Sequence, residues 1–403
     1  MKLNTTLMIF LCTMTLLTLG VVMITSSSAA IAARDINKAQ VETKGGGVEA
    51  ERPTLTSHSY YYTKRQIVWA GLAFICMIGV YRVDYDFYKR WGGTIFLACV
   101  LLLILVLIPG IGKKVNGARR WLGAGGVYLQ ASEFAKLGVI IFLSKILSEK
   151  NRSLKSWRHG FFPPLCLVGT VCFLIVVEPD LGTAVVVMLI AITMFAVAGM
   201  RPAHLLTLVV AAIPLLAGLI IFEPYRMKRL LSFLNPELDR QGSGWQLSQS
   251  LISVGSGGWE GLGLGNGPQK YLFLSESYTD FIFASICEEL GIWGAGLVIA
   301  LFVFLMVQGY RVAMKLQDMF GSLLATGITA MIGIQAFINM FVVLGMVPTK
   351  GLTLPFVSYG GSSLIVNMVA IGILMSLSRE AELISLPTKS TATLRTVRSW
   401  GIR

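Results

Sequence analysis

An all-α polytopic membrane protein of about ten transmembrane helices is the fold to expect from this chain, and three features lead there. Hydrophobic residues make up 55% of the 403 residues and charged residues only 14%, where a soluble domain carries roughly 25% charged residues. The apolar runs are continuous rather than alternating in ~10-residue pieces, which argues against a β-barrel. Most approach the ~20 residues that one helix needs to cross a bilayer. A pair of soluble domains, a disordered chain and a fibrous repeat are thereby excluded.

Ten apolar segments follow in order: 7–24, 67–81, 94–111, 128–147, 163–177, 183–200, 203–222, 281–310, 323–347 and 358–377. Their unequal lengths imply different tilts and kinks. The first has a rival reading, because Lys2, the apolar stretch and Ala30-Ile31-Ala32 resemble a cleavable signal. The stretch exceeds the roughly 7–15-residue core of a signal peptide, and many spans follow, so a retained first helix is expected. Residues 28–64 are polar, contain Gly45-Gly46-Gly47 and read as a flexible loop. Residues 112–127 hold Lys113, Lys114, Arg119 and Arg120, and residues 223–280 form the longest loop, rich in glycine and aromatics. The organisation expected is one membrane domain over 1–378, with 223–280 as its large loop, and a basic, disordered tail over 379–403.

Net charge is +13, from 34 basic and 21 acidic residues. In a soluble protein that balance suggests nucleic acid; here basic residues anchor helices at anionic lipid and set orientation, so no nucleic-acid partner is expected. If the N-terminus is inside, basic residues divide almost evenly between the two sides, which departs from the usual inward bias. An anionic ligand at the outer face is one use for the outer surplus. The six cysteines all sit in apolar runs without a CxxC pair, so they read as packing residues rather than a disulfide or metal framework.

Charges at membrane depth are costly and often functional. Glu133 and Lys136 share one face of the fourth span at i,i+3 and can pair; the pair is either structural or a support for an anion site at Lys136. Glu178-Pro179-Asp180-Leu181-Gly182-Thr183 is a tight turn in which Asp180 either caps the next helix or serves a ligand. The glycine run Gly261–Gly267 lacks the GxGxxG spacing and a strand-to-helix setting, so it reads as turns and close packing rather than a nucleotide loop. Asp280 falls where a water-facing loop meets a helix; a carboxylate there is either a base with a raised pKa or a helix-start residue favoured by the dipole. Glu288 and Glu289 lie two turns deeper, as candidates to pair with bundle cations. The only histidines, His58, His159 and His204, are scattered, and HExxH is absent, which argues against a metalloprotease or a Ser-His hydrolase.

Four strings now carry a resemblance: Glu178–Thr183, Gly242–Ser250, Thr279–Ala284 with Glu288-Glu289-Leu290-Gly291, and Pro348–Ser363. They resemble the SEDS family (shape, elongation, division, sporulation) and run in its order along nearly the whole chain; Gly117-Ala118-Arg119-Arg120-Trp121 fits the family's outer loop. Pro348–Pro355 and Gln249-Ser250-Leu251 are most similar to the division branch rather than the elongation branch. The resemblance implies a SEDS-type fold with both termini cytoplasmic and a large extracytoplasmic loop between helices 7 and 8. It implies a peptidoglycan glycosyltransferase that polymerises lipid II beside a class B penicillin-binding transpeptidase and other division proteins. The implied place is the bacterial cytoplasmic membrane at the septum. Asp280 matches the family's catalytic aspartate, which would deprotonate the acceptor hydroxyl and invert the anomeric centre. Arg119, Arg120, Lys136, Lys228 and Lys350 are the candidates for holding the substrate's diphosphate, with Glu133 beside Lys136. Asp180, Gln249, Glu289 and Ser358 are expected to support the site. No cofactor is evident; a divalent cation could share the cationic work, with no ligand set declared. The family usually has His just before Thr-Asp, where this chain has Tyr278, so a relay through that position is dispensable here or different. A lipid II flippase and a non-catalytic scaffold are the rivals; a flippase favours inverted repeats and broken midplane helices, and a scaffold makes Asp280 dispensable.

Overall fold

Continuous apolar sequence leaves backbone amides and carbonyls only one another as partners in lipid, and helices satisfy them locally. The computed structural model describes residues 4–43, 61–115, 118–123, 128–149, 156–239, 242–274 and 277–384. In chain order these form α1 (Thr5–Thr43), α2 (Tyr61–Tyr81) and α3 (Tyr85–Leu107), then strands β1 (Gly112–Val115), β2 (Ala118–Leu122) and β3 (Leu129–Gln130). There follow α4 (Ala131–Glu149), a π-turn at Trp157–Phe161, α5 (Phe162–Val177), α6 (Leu181–Val197) and α7 (Pro202–Ile221). The long loop carries α8 (Pro224–Leu234), a 3₁₀ turn (Pro236–Asp239), α9 (Ser243–Gly257) and α10 (Gln269–Leu272). The chain closes with α11 (Ile282–Lys315), α12 (Met319–Val343) and α13 (Gly361–Ile384).

Each of the ten expected apolar segments lies for most of its length on one helix, from α1 to α7 and α11 to α13, the fourth passing first through β3. Among the described residues seven helices are long and apolar enough to cross a bilayer, and α5 and α6 are shorter apolar helices. The tenth, α4, is interrupted by Glu133, Lys136, Lys145 and Glu149. Starts follow local chemistry: proline occupies the first turn of α5, α7 and α8, where its missing N–H costs nothing. Asp318 caps α12 by accepting from the Gly321 amide at 3.4 Å. α12 and α13 are the most enclosed helices and α7 the least, so the core is centred on α12 and α13. There Phe320, Met331, Ile332, Ile371 and Leu374 are buried. α13 lies along α2, α11 along α12, and α3 along α4.

Four boundaries differ from expectation. α1 continues to Thr43 instead of ending near residue 24, because the alanine-rich stretch after Ser28 favours helix; the polar loop that was expected from 28 therefore begins no earlier than 44, and its glycine triplet lies outside the described residues. Gly112–Val115, Ala118–Leu122 and Leu129–Gln130 form an antiparallel sheet in the order β1-β2-β3, too short and irregular for an alternation signal. The 223–280 stretch is largely helical rather than open loop. α13 runs past 378 to Ile384, because its last turns have partners: Glu382 accepts the Thr5 amide at 3.0 Å, and Arg379 pairs with Asp84 at 3.4 Å. The rest of the expected tail lies outside the described residues.

The glycine run packs as anticipated. α11 breaks at Gly291, whose φ of 63° and ψ of −161° leave the helical region. Two carbonyls just before the break, those of Glu288 and Glu289, accept the amides of Leu262 (2.9 Å) and Gly263 (3.0 Å), while Ile292 donates to the Gly258 carbonyl at 3.0 Å. The loop thus replaces the helix's own ladder where it is interrupted. Gly257 makes this approach possible, since a Cβ there would sit inside van der Waals contact of the Cys287 carbonyl oxygen. Gly257→Ala is expected to destabilise by about 1–3 kcal/mol and lower the thermal unfolding midpoint in detergent. Gly255→Ala, two residues earlier with open space around its Cβ, serves as control and should stabilise slightly, by about 0.5–1 kcal/mol.

Candidate functional site at the loop end of the bundle

The turn at 277–281 opens α11, and its residues present three successive carbonyls to fixed donors. The Tyr359 amide donates to the Tyr278 carbonyl at 2.9 Å, the Ser358 hydroxyl to the Thr279 carbonyl at 2.6 Å, and the Asn339 amide to the Asp280 carbonyl at 2.8 Å. Ser358 is itself oriented, because its oxygen accepts the Leu354 amide at 2.8 Å. Three pinned carbonyls in a row leave the Asp280 backbone little freedom. Its half-buried side chain lies against the segment after α12, with Oδ2 3.0 Å from where a Cβ of Gly351 would be; only glycine allows that approach without a shift. Tyr278 packs with Tyr62 (4.8 Å between centroids) and Tyr359 (5.8 Å), which closes one side of the turn with aromatic rings.

Lys350 precedes Gly351, so a cation's backbone is one residue from the Asp280 carboxylate. Its stem lies 3.6 Å from a Cβ position at Gly182, at the start of α6. Burial pushes the Lys350 ammonium below its ordinary pKa, and the Asp180 charge pulls it partly back. Asp180 caps α6: it accepts the Thr183 amide at 3.2 Å and the Thr183 hydroxyl at 2.9 Å, and takes a third bond from Gln130 at 3.3 Å. Arg120, on β2, donates Nε to the Glu178 carbonyl at 3.0 Å and Nη2 to the Pro179 carbonyl. Both acceptors are neutral, so neither bond uses up the guanidinium's charge. The Tyr225 hydroxyl of α8 donates to the same Pro179 carbonyl at 3.3 Å. β2, α6, α8 and the 350–359 segment therefore converge on one tight turn.

Within that turn the Glu178 carboxyl is buried and neither of its oxygens has a hydrogen-bond partner. Burial first, and then the Asp180 charge, push its pKa up to about 8, against a smaller downward pull from Arg120. Between the ordinary carboxylate range and about 8 the folded chain holds a proton that the unfolded chain has released. Stability therefore falls as pH rises through that window and levels off above it. Glu178→Gln is expected to flatten this slope, so that the variant's unfolding midpoint changes less than that of wild type between pH 5 and pH 9.

The other residues singled out in the sequence are placed as follows. Arg119 is half-buried on β2. Lys228, on α8, pairs with Asp239 at 3.0 Å. Glu133 and Lys136 form a buried pair at 2.9 Å, and the Lys136 ammonium also donates to Gln335 Oε1 at 2.6 Å. With Lys136 1% exposed, this cation lies inside the bundle, committed to the protein's own groups. Glu289 is bound not by a cation of the spans but by Lys270 of α10 in the long loop, with both side chains fully enclosed. It also accepts from Ser26 of α1 (2.8 Å) and the Gly265 amide (3.0 Å). Gln249 is buried on α9. Among the described residues, no three or more His, Cys, Asp or Glu side chains come together as metal ligands.

Three side chains went unnoticed in the sequence: Gln335, Asn339 and Lys270. The first two carried a signal, as polar residues four apart in an apolar span. Lys270 carried none, since its importance lies in a partner across the long loop.

Comparison with known proteins agrees with this arrangement. The cell cycle protein family FtsW/RodA/SpoVE matches residues 48–383. Stage V sporulation protein E of Bacillus subtilis (strain 168) is 42% identical over 378 residues, covering 94% of this chain and 98% of that protein. A probable peptidoglycan glycosyltransferase FtsW of Geobacter metallireducens is 41% identical over 372 residues, covering 92% and 94%. A chain of a peptidoglycan synthase complex, solved to show how polymerization and crosslinking are coordinated, superposes with a TM-score of 0.70 at 27% identity over 90% of this chain and 97% of that one. The crystal structure of Thermus thermophilus rod shape determining protein RodA superposes with a TM-score of 0.65 at 25% identity, covering 92% and 96%.

Proposed function

Because the chain belongs to the FtsW/RodA/SpoVE family of cell cycle proteins, we propose that it is a multi-pass membrane peptidoglycan glycosyltransferase that polymerises lipid II. The observation that carries this reading is the Asp280 turn, held at three carbonyls, with the Lys350 segment beside its carboxylate. Polymerisation needs a sugar hydroxyl to attack an anomeric carbon while a lipid diphosphate leaves. Asp280 takes the acceptor proton as the new glycosidic bond forms, and the bond to the diphosphate breaks with inversion at carbon. A diphosphate is already a good leaving group, so the remaining demand is for cations where negative charge develops. Arg120 supports that role because its partners are neutral carbonyls, and Lys350 because it is half-buried beside the turn. Arg119 adjoins Arg120 on β2. A divalent cation sharing this work is compatible with the same chemistry.

The similarity to a chain of a peptidoglycan synthase complex supports a class B penicillin-binding transpeptidase as the partner that crosslinks the strands. The outer face of the bacterial cytoplasmic membrane at the division septum is the place that fits this activity, with other division proteins as company. The relatives named FtsW favour a division role over an elongation role.

A lipid II flippase is the second reading, favoured by the break in α11 at Gly291, since transporters use interrupted helices. The carbonyls of Glu288 and Glu289 are taken by the chain's own loop amides, which leaves them closed to a cargo. Purified protein with its transpeptidase, given lipid II in vesicles, is expected to yield glycan strands. Movement of lipid II across the vesicle with no strands would favour the flippase.

A further inference from the structure

We propose that Asn339 is a positioning residue, which sets the spacing between the Asp280 turn and the Lys350 segment, and that Lys136 acts on the site through Gln335 rather than on substrate. This rests on the glycosyltransferase reading and goes one step deeper into the same site.

Gln335 and Asn339 are four apart on α12, on one face of the helix, and both are buried. A side-chain amide offers two N–H donors on one nitrogen. Asn339 Nδ2 uses them on two different segments, donating to the Leu352 carbonyl at 2.6 Å and the Asp280 carbonyl at 2.8 Å. These carbonyls belong to stretches 13 and 59 residues away from Asn339 in sequence, so one nitrogen brackets the segment that follows Lys350 and the turn carrying the base. One turn earlier, Gln335 Nε2 donates to the Thr353 carbonyl at 3.0 Å.

What keeps Gln335 facing that way is Lys136. Its ammonium donates to Gln335 Oε1 at 2.6 Å, and an ammonium, which can only donate, bonds an amide only at its oxygen. Glu133 in turn holds Lys136 at 2.9 Å. The chain Glu133–Lys136–Gln335–Thr353 thus fixes one residue of the segment, and Asn339 fixes its neighbour Leu352 and Asp280 together. Misplacing a reacting group by about 1 Å can cost roughly a hundredfold in rate, so this bracket acts on turnover more than on binding.

The experiment compares wild type, Asn339→Leu, Asn339→Asp and Gln335→Met, each co-purified with its transpeptidase, per mole of folded protein. Polymerisation of lipid II is read as kcat and KM across pH, with amide hydrogen exchange of peptides covering 277–281 and 350–354. Asn339→Leu is expected to lower kcat roughly tenfold to a hundredfold with KM within about twofold. It should also speed exchange in both peptides together. Gln335→Met should speed exchange at 350–354 and lower kcat less. Relative to wild type at the same pH, Asn339→Asp should recover rate as pH falls, because its protonated form regains one donor; a purely structural role predicts no such recovery. Unchanged kcat and unchanged exchange in Asn339→Leu would overturn the proposal. If Asn339→Leu does not fold, a rate for Asn339→Asp equal to wild type at all pH values would overturn it just as well. Absence of strands from wild type itself would count against the glycosyltransferase reading, and the exchange data would still decide the bracket.

Discussion

Asp280→Asn is expected to abolish polymerisation while leaving the fold and the transpeptidase complex intact. Asparagine keeps the size of the side chain and leaves the backbone carbonyl that Asn339 grips, so the turn should remain in place. What it removes is the one carboxylate among the described residues of the turn, 277–281, able to take a proton from the acceptor hydroxyl. Loss of a positioned base lowers rate by roughly 10²–10⁴-fold. The unfolding midpoint and the yield of co-purified transpeptidase should match wild type, which separates chemistry from assembly. Asp280→Glu should retain part of the activity if its longer side chain finds room, but Oδ2 already lies close to the Gly351 backbone, so a large residual rate is not expected. A rate for Asp280→Asn within about twofold of wild type would remove the base from this residue.

Glu289→Ala is expected to be the most destabilising single change in the bundle. It leaves the fully enclosed Lys270 ammonium without its carboxylate and removes the acceptor used by Ser26 and the Gly265 amide. Breaking a buried pair by deleting one partner typically costs about 3–5 kcal/mol. The damage should spread to the joint it secures, because Glu289 also supplies the carbonyl that binds Gly263 beside the break at Gly291. The measure is the thermal unfolding midpoint in detergent and the amount of protein in the membrane. The double variant Glu289→Met with Lys270→Met should recover much of the loss, since an apolar pair leaves no orphaned charge. Equal loss in the single and double variants would mean that the pair is incidental.

The apolar segments were legible because a bilayer requires of a crossing helix a long apolar run with internal hydrogen bonding, and seven of the described helices are long and apolar enough to meet it. The end of α1 was not legible, since the serines and charges after residue 24 read as polar loop, while the alanines among them favour helix. α8 and α9 were hidden for a related reason: short surface helices with mixed faces read as polar, glycine-rich loop. The small sheet of β1, β2 and β3 depends on pairing between short strands, and its register shifts between Lys113 and Lys114, which erases any alternation. In the site, Asp280, Asp180 and the Glu133–Lys136 pair were visible because a carboxylate or a cation at a membrane boundary stands out. Asn339 and Gln335 were overlooked because a lone amide in an apolar span has no local partner, and their partners sit in other segments. Glu178 was visible, but its solitude was not; only packing reveals that neither oxygen is bonded.

The measurement that bears most directly on the central claim is polymerisation of purified lipid II by wild type and by Asp280→Asn, side by side, each co-purified with a class B transpeptidase. Long glycan strands from wild type and none from the variant are the predicted result. Strands of equal length and yield from both would contradict the account.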